Sequence, residues 1–244
     1  MNETASIRAL TVNEIIVEGW KQFRSNAGAI LPLVFLISVP LEMVSWQFHD
    51  FTVVDQQNLP LLIRYLLLAL FMWFVFGTLL QLSLIRMVES SMLGTPITLQ
   101  EALRHALSRW MPALGTGLLS LLIVAAWSLL LFVPGFIWSV YYTFGLMVVA
   151  LRGVSGKAAL DRSKAMVRGR WWRVLGYQVV FFLFPAVVST AMKPLYELAP
   201  DSIVMLVSLD LIYRLMYLIA VSMSTVFFIN LEATGGDGAA RQDA

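Results

Sequence analysis

Six long, predominantly apolar stretches, at residues 27–48, 61–85, 111–132, 134–151, 174–192 and 203–228, dominate this chain of 244 residues. Each is near the roughly 17–25 residues with which a helix crosses hydrocarbon. Composition supports the same solvent: 59% of residues are hydrophobic and 13% charged, where a soluble domain carries about 25% charged residues. Six helices of about 20 residues consume roughly half the chain. The expectation is therefore one six-span membrane domain over residues 1–232, without a soluble catalytic domain. Pro134 and Gly135 fall between the third and fourth stretches, where they favour a tight hairpin over one helix of double length.

The positive charges are placed asymmetrically. Every lysine and arginine except Arg64, Lys193 and Arg214 lies before the first stretch, between the second and third, between the fourth and fifth, or in the tail. Loops rich in these residues stay cytoplasmic, so both termini are expected on that side. Residues 1–10 lack the charged start, apolar core and cleavage site of a signal peptide, and the N-terminus is expected to remain in the mature protein. There is no cysteine, which excludes disulfides, thiolate metal sites and iron–sulfur clusters.

An internal repeat underlies this pattern. Thr11 to Phe23 places apolar residues or glycine at Val12, Ile15, Ile16, Gly19, Trp20 and Phe23; Thr98 to Trp110 places Leu99, Ala102, Leu103, Ala106, Leu107 and Trp110 at the same offsets. That is the spacing of an amphipathic helix. Both open with a capping box, Thr11 with Glu14 and Thr98 with Glu101. A fainter copy begins at Ser155, the expected cap, with Ala159, Leu160, Ser163 and Val167 on its apolar side. The fold class expected is an all-α integral membrane protein built as three repeats, about 11–95, 98–154 and 155–232, each an amphipathic helix plus two spans. Repeats with an even number of spans are related by an axis along the membrane normal, where a central pocket can form. Residues 233–244 are rich in glycine and polar groups, and disorder is expected there.

No constellation points to chemistry. Gly153-Val154-Ser155-Gly156 matches the motif of intramembrane serine proteases, but Ser155 lies in the most basic connection, and the two histidines, His49 and His105, are expected on opposite faces. For the same reason they cannot share a metal. Gly156-Lys157 lacks both the first glycine and the hydroxyl residue of a phosphate loop. Neither the paired aspartates of alcohol phosphatidyltransferases nor the histidines of lipid phosphatases occur. No enzyme activity, cofactor, metal or nucleic-acid partner is expected.

Polar residues inside spans are costly and are candidates for function. Asp210 and Arg214 stand one turn apart in the last stretch and can pair; Glu42 and Gln81 are the other two. Arg162, Lys164, Arg168, Arg170 and Arg173 form the densest basic cluster and are the candidate contacts for anionic lipid headgroups or a protein partner.

Pro134-Gly135-Phe136-Ile137-Trp138, Ala158-Ala159-Leu160 with Ser163, and Arg168-Gly169-Arg170-Trp171-Trp172-Arg173 resemble a family of bacterial six-span inner-membrane proteins. That family is related to the membrane domain of glycerophosphoryl diester phosphodiesterases and includes many stand-alone, uncharacterised members. The resemblance implies an inner-membrane module that positions a partner or handles a lipid, and supplies no catalytic residue. Arg152 departs from it, standing where an acidic residue is expected. Two functions are carried forward: organising lipid or a partner at a basic cytoplasmic face, and a small transporter or permease with a pocket near the repeat axis.

Overall fold

The computed structural model describes residues 9–46, 59–198 and 203–240, and every regular element among them is a helix. The first, α1 (Val12–Trp46), starts where the sequence places its capping box: the Thr11 amide donates to the Glu14 carboxylate (2.8 Å), and the Glu14 amide to the Thr11 hydroxyl (3.4 Å). The same reciprocal pair, Thr98 with Glu101, opens α4 (Leu99–Leu130). Between them, α2 (Leu59–Met72) runs through a π-helical turn, Trp73–Gly77, into α3 (Thr78–Met92). Within this turn the Val75 carbonyl accepts the Thr78 amide and also the Trp110 indole N–H from α4 (3.1 Å).

The expected hairpin is present and very tight. Leu131 alone is extended between α4 and α5 (Phe132–Tyr141), and Pro134 sits in the first turn of α5, where its missing N–H costs no helical bond. Gly135 allows the approach, because a Cβ there would lie 2.8 Å from the Ser128 Cβ and 2.9 Å from its Cα. A break at residues 142–144 separates α5 from α6 (Gly145–Arg152). Ser163 bridges it from α7 (Gly156–Val167): its hydroxyl donates to the Tyr141 carbonyl (2.7 Å) and accepts from the Phe144 amide (3.2 Å), so both freed backbone groups are satisfied. The last two helices are α8 (Trp171–Leu198) and α9 (Ile203–Ala240).

α9 is the centre of the packing. It contacts α1, α3, α7 and α8, most extensively α1. Gly19 of α1 lies against the Met223 backbone so closely that a Cβ would come within 2.7 Å of its Cα. The chain before α1 is fastened to the same region. The Leu10 amide donates to the Asn230 side chain (3.0 Å), and its carbonyl accepts from Arg173 (3.1 Å) and the Tyr177 hydroxyl (2.9 Å).

Burial changes abruptly along the long helices. Residues 82–85 and 87–90 of α3 are all buried inside the protein, whereas Leu59, Ile63, Leu67, Leu70 and Phe71, at the start of the same rod, are exposed. In α4, Ala102, Ala106, Ala113 and Thr116 are buried, while Leu118, Leu121, Leu122 and Leu129 are not. α9 reverses the order, from exposed Val204, Ile212 and Tyr213 to buried Leu218, Val226, Phe227, Phe228 and Leu231. One half of the molecule is a packed helical core, and the other half presents apolar side chains outward. That is the surface of a membrane protein.

Several sequence expectations change. Among the described residues, five segments are long and apolar enough to cross a membrane: Leu70–Met92, Leu99–Leu130, Val133–Arg152, Trp171–Met192 and Val207–Thr234. The stretch at 27–48 falls in the second half of α1 and lies partly outside the described residues, as do His49 and the side chain of Glu42. The first two amphipathic segments are not separate helices; each continues unbroken into the apolar stretch after it, and only the third stands alone as α7. Ser155 occupies the N-cap position of α7 with no capping bond. Instead the Thr116 hydroxyl of α4 accepts the Gly156 amide (2.7 Å). α9 is described to Ala240, the rest of the tail at 233–244 lying outside the described residues, and the Arg170 guanidinium donates to its Leu231 and Thr234 carbonyls (both 3.2 Å).

Candidate functional site

The basic cluster between Arg152 and Arg173 is largely turned to internal use. Arg152, at the end of α6, donates to Glu89 of α3 (2.7 Å) and forks onto Glu232 of α9 (2.6 and 2.9 Å). Arg86 holds the other Glu89 oxygen (2.6 Å), and Arg162 holds the other Glu232 oxygen (2.7 Å). Two carboxylates and three guanidiniums thus tie α3, α6, α7 and α9 together. The sequence singled out neither acid; their signal was an acidic residue at the end of an apolar stretch, on a side otherwise rich in arginine.

The remaining candidates divide. Arg170 binds the Leu231 and Thr234 carbonyls of α9, and Arg173 binds the Leu10 carbonyl while lying over the Tyr177 and Phe227 rings. Lys164 places its ammonium 4.3 Å from the centre of the Trp138 ring. The Arg168 side chain is exposed and its guanidinium has no hydrogen-bonding or ionic partner among the described residues, although its amide donates to the Lys164 carbonyl (2.9 Å). Lys157 pairs with Asp161 across one helical turn, and that carboxylate raises the ammonium pKa above its ordinary value, so the lysine stays charged through physiological pH. The five expected contacts therefore do not form one free cationic patch.

The intramembrane polar residues do converge. Asp210 and Arg214 form their ion pair, and with Gln81, Tyr213 and Tyr217 they line a cavity of about 170 Å³ between α3 and α9. Gln81 donates from its amide to the Tyr217 hydroxyl. Beyond them, Gln81, Tyr213 and Tyr217 also line a larger cavity of about 360 Å³, which reaches Thr143, Met147, Gln178 and Phe181. There Gln178 donates to the Thr143 hydroxyl. A third hollow, of about 470 Å³, shares Thr143 and Gln178 and opens between α5 and α8 along Phe136, Val179 and Leu183.

The three hollows thus adjoin as one crevice region with apolar walls: neighbouring hollows share the two amide–hydroxyl pairs as common walls, and the ion pair lines the smallest of them. Exposed Val179 and Leu183 at the other end put its opening on the apolar surface. Such a shape takes a mostly apolar ligand and fixes its orientation through a few polar groups. Sequence reasoning named Gln81, Asp210 and Arg214. It missed Gln178, whose signal was being the sole carboxamide between residues 174 and 192. Thr143, Tyr213 and Tyr217 carried none. Among the described residues, no group of three or more potential ligands is arranged for a metal.

Residues 57–231, well over half of the chain, match the model of a family described as a domain of unknown function (DUF7847). The chain belongs to this family. The DUF7847 match runs from just before α2 into the buried end of α9, so it takes in every residue lining the crevice, while α1 lies outside it. No curated protein and no solved structure matches the chain.

Proposed function

We propose that this protein is a non-enzymatic membrane protein that takes an amphiphilic lipid from the bilayer into the crevice between α3, α5, α6, α8 and α9. The observation that carries the reading is the row of adjoining hollows from Asp210, Arg214 and Gln81, past the shared Thr143 and Gln178, to the one lined by exposed Val179 and Leu183 on the apolar surface. An acyl chain suits the walls, and the amides, hydroxyls and ion pair suit a headgroup that both donates and accepts. The setting is the bacterial inner membrane with both termini cytoplasmic, as the charge asymmetry and the family resemblance imply. Anionic lipid at the basic face is a secondary contact in this reading, since Arg152, Arg170 and Arg173 are engaged within the protein.

Native mass spectrometry with lipidomics on gently extracted protein tests this. A lipid should be retained in fixed ratio by the wild type and lost at least tenfold in variants of unchanged thermal stability, Gln178→Leu and Ser224→Phe, the second filling the middle hollow, which Ser224 of α9 also lines. Equal retention by all three would overturn the crevice as the site.

Transport is the second reading, favoured by the ion pair at the inner end of the crevice. Flux into proteoliposomes that disappears in Asp210→Asn, with lipid retention unchanged, would replace storage or presentation by translocation.

A further inference from the structure

The hollow between α5 and α8 has a direction. Phe136 meets Trp171 edge to face, and further along both helices Gln178 donates to the Thr143 hydroxyl. The two contacts lie seven residues apart on each helix, so α5 and α8 run side by side in the same sense. The walls repeat at helical spacing, with Phe136, Val140 and Thr143 on one side and Leu175, Val179 and Leu183 on the other. Exposed Phe136 at one end, and exposed Val179 and Leu183 towards the other, leave the groove open to the surroundings of the protein.

Its Trp171 end is a headgroup boundary. Trp172 is 79% exposed, and Arg168, Arg170 and Arg173 flank the two indoles. Tryptophan with basic residues at the end of an apolar stretch is the composition of that layer. Leu183 lies twelve residues beyond Trp171, about 18 Å along the helix, against about 15 Å for one leaflet of a 30 Å hydrocarbon core. The groove therefore reaches through one leaflet. Trp172, Val179, Leu183 and Val187 form an exposed stripe beside it.

Charge at this mouth is unbalanced. Arg170 and Arg173 bind neutral carbonyls, which leaves their charge in place, and the exposed Arg168 guanidinium has no partner among the described residues. α8 begins with the Val174 amide on the Arg170 carbonyl (3.0 Å); the amides of Trp171, Trp172 and Arg173 meet no acceptor among the described residues. Between residues 102 and 196 the one acidic residue is Asp161, which pairs with Lys157. Glu232, next to the Leu231 carbonyl that Arg170 binds, has its oxygens held by Arg152 and Arg162. Positive charge and free donors at the end of an apolar groove complement an anionic headgroup.

We propose that a phospholipid with an anionic headgroup docks in this groove, its phosphate at Arg168 and the first amides of α8 and one acyl chain running past Leu175 to Leu183. This is the entry position of the crevice, separated from the middle hollow by the Thr143–Gln178 pair. It rests on the lipid reading of the crevice and adds the class of headgroup and the orientation of the lipid.

Two photoactivatable lipids test it: a phosphatidylglycerol and a phosphatidylcholine with the same diazirine on one acyl chain, each in phosphatidylcholine vesicles holding the full chain. The glycerol probe should label residues 136–143 and 175–183 about fivefold more than the choline probe, the weight of one basic side chain at a membrane surface. Both should label residues 59–71 of α2 alike. Arg168→Gln, on an exposed side chain, should abolish most of that preference, whereas Lys157→Gln, which removes an equal charge from α7, should leave it within about twofold. Equal labelling of the groove by both probes, or an effect of Arg168→Gln no larger than that of Lys157→Gln, would overturn the anionic site and leave lipid in the crevice. Labelling of the two walls no higher than that of residues 59–71 by either probe would overturn both readings.

Discussion

Glu89 receives two guanidiniums while its side chain is only 6% exposed, and Arg152 is the bond between it and Glu232. Such partners offset the cost of removing a carboxylate from water, and taking one away leaves part of that desolvation uncompensated. Arg86 still holds one Glu89 oxygen in an Arg152→Met variant, so the expected loss is at the lower end for a broken buried pair, about 3 kcal/mol. Arg168→Ala, on an exposed side chain, should stay within about 0.5 kcal/mol of wild type. Thermal unfolding in detergent, followed by tryptophan fluorescence, compares the two; equal losses would mean that the network does not bear the load assigned to it. Neighbouring arginines that look alike in the sequence thus differ in role, because what each one meets comes from helices far away in the chain.

At the scale of elements, capping boxes were readable because both partners lie within one turn of the same strand of sequence. Thr98 and Thr11 behave as their spacing predicts. Ser155 does not, since the cap of α7 comes from Thr116, forty positions earlier. Thr116→Val should therefore cost about 1 kcal/mol while Ser155→Ala costs only a few tenths. Chemical denaturation of the two single variants and the double variant checks the order; a larger loss from Ser155→Ala would contradict it. The hairpin between α4 and α5 was equally local, written in Pro134 and Gly135. Gly135→Ala forces α4 and α5 apart and should lose about 1–3 kcal/mol, the usual range for overpacking a close contact. Adding Ser128→Gly removes the nearest side-chain atoms and should restore part of that loss in the same assay.

Across the whole molecule, apolar residues serve two solvents. In the rods formed by α2 with α3, by α4 and by α9, one end is buried in protein and the other faces outward. A lipid-soluble carbene reagent should therefore label residues 59–71, 118–131 and 204–213 and spare 82–90 and 218–231. Peptide mapping after photolysis reads this directly, and uniform labelling along α3 or α9 would dismiss the division. The crevice lies where the two halves meet, which places its polar groups within reach of lipid.

Hydropathy, charge placement and the spacing of caps determined the helical class, the membrane solvent, the tight turn at Leu131 and three of the residues that line the crevice. Each of these depends on neighbours within a turn or two, or on a solvent preference that adds up along the chain. Tertiary structure alone decided which leucines face lipid and which face other helices, because the transfer of an apolar side chain from water is equally favourable into either. It also decided which arginines remain outside, which hydroxyl caps α7, and that Gln178 and Tyr217 stand beside Gln81. Those facts depend on side chains brought together from distant parts of the chain, and no local pattern in the sequence encodes them.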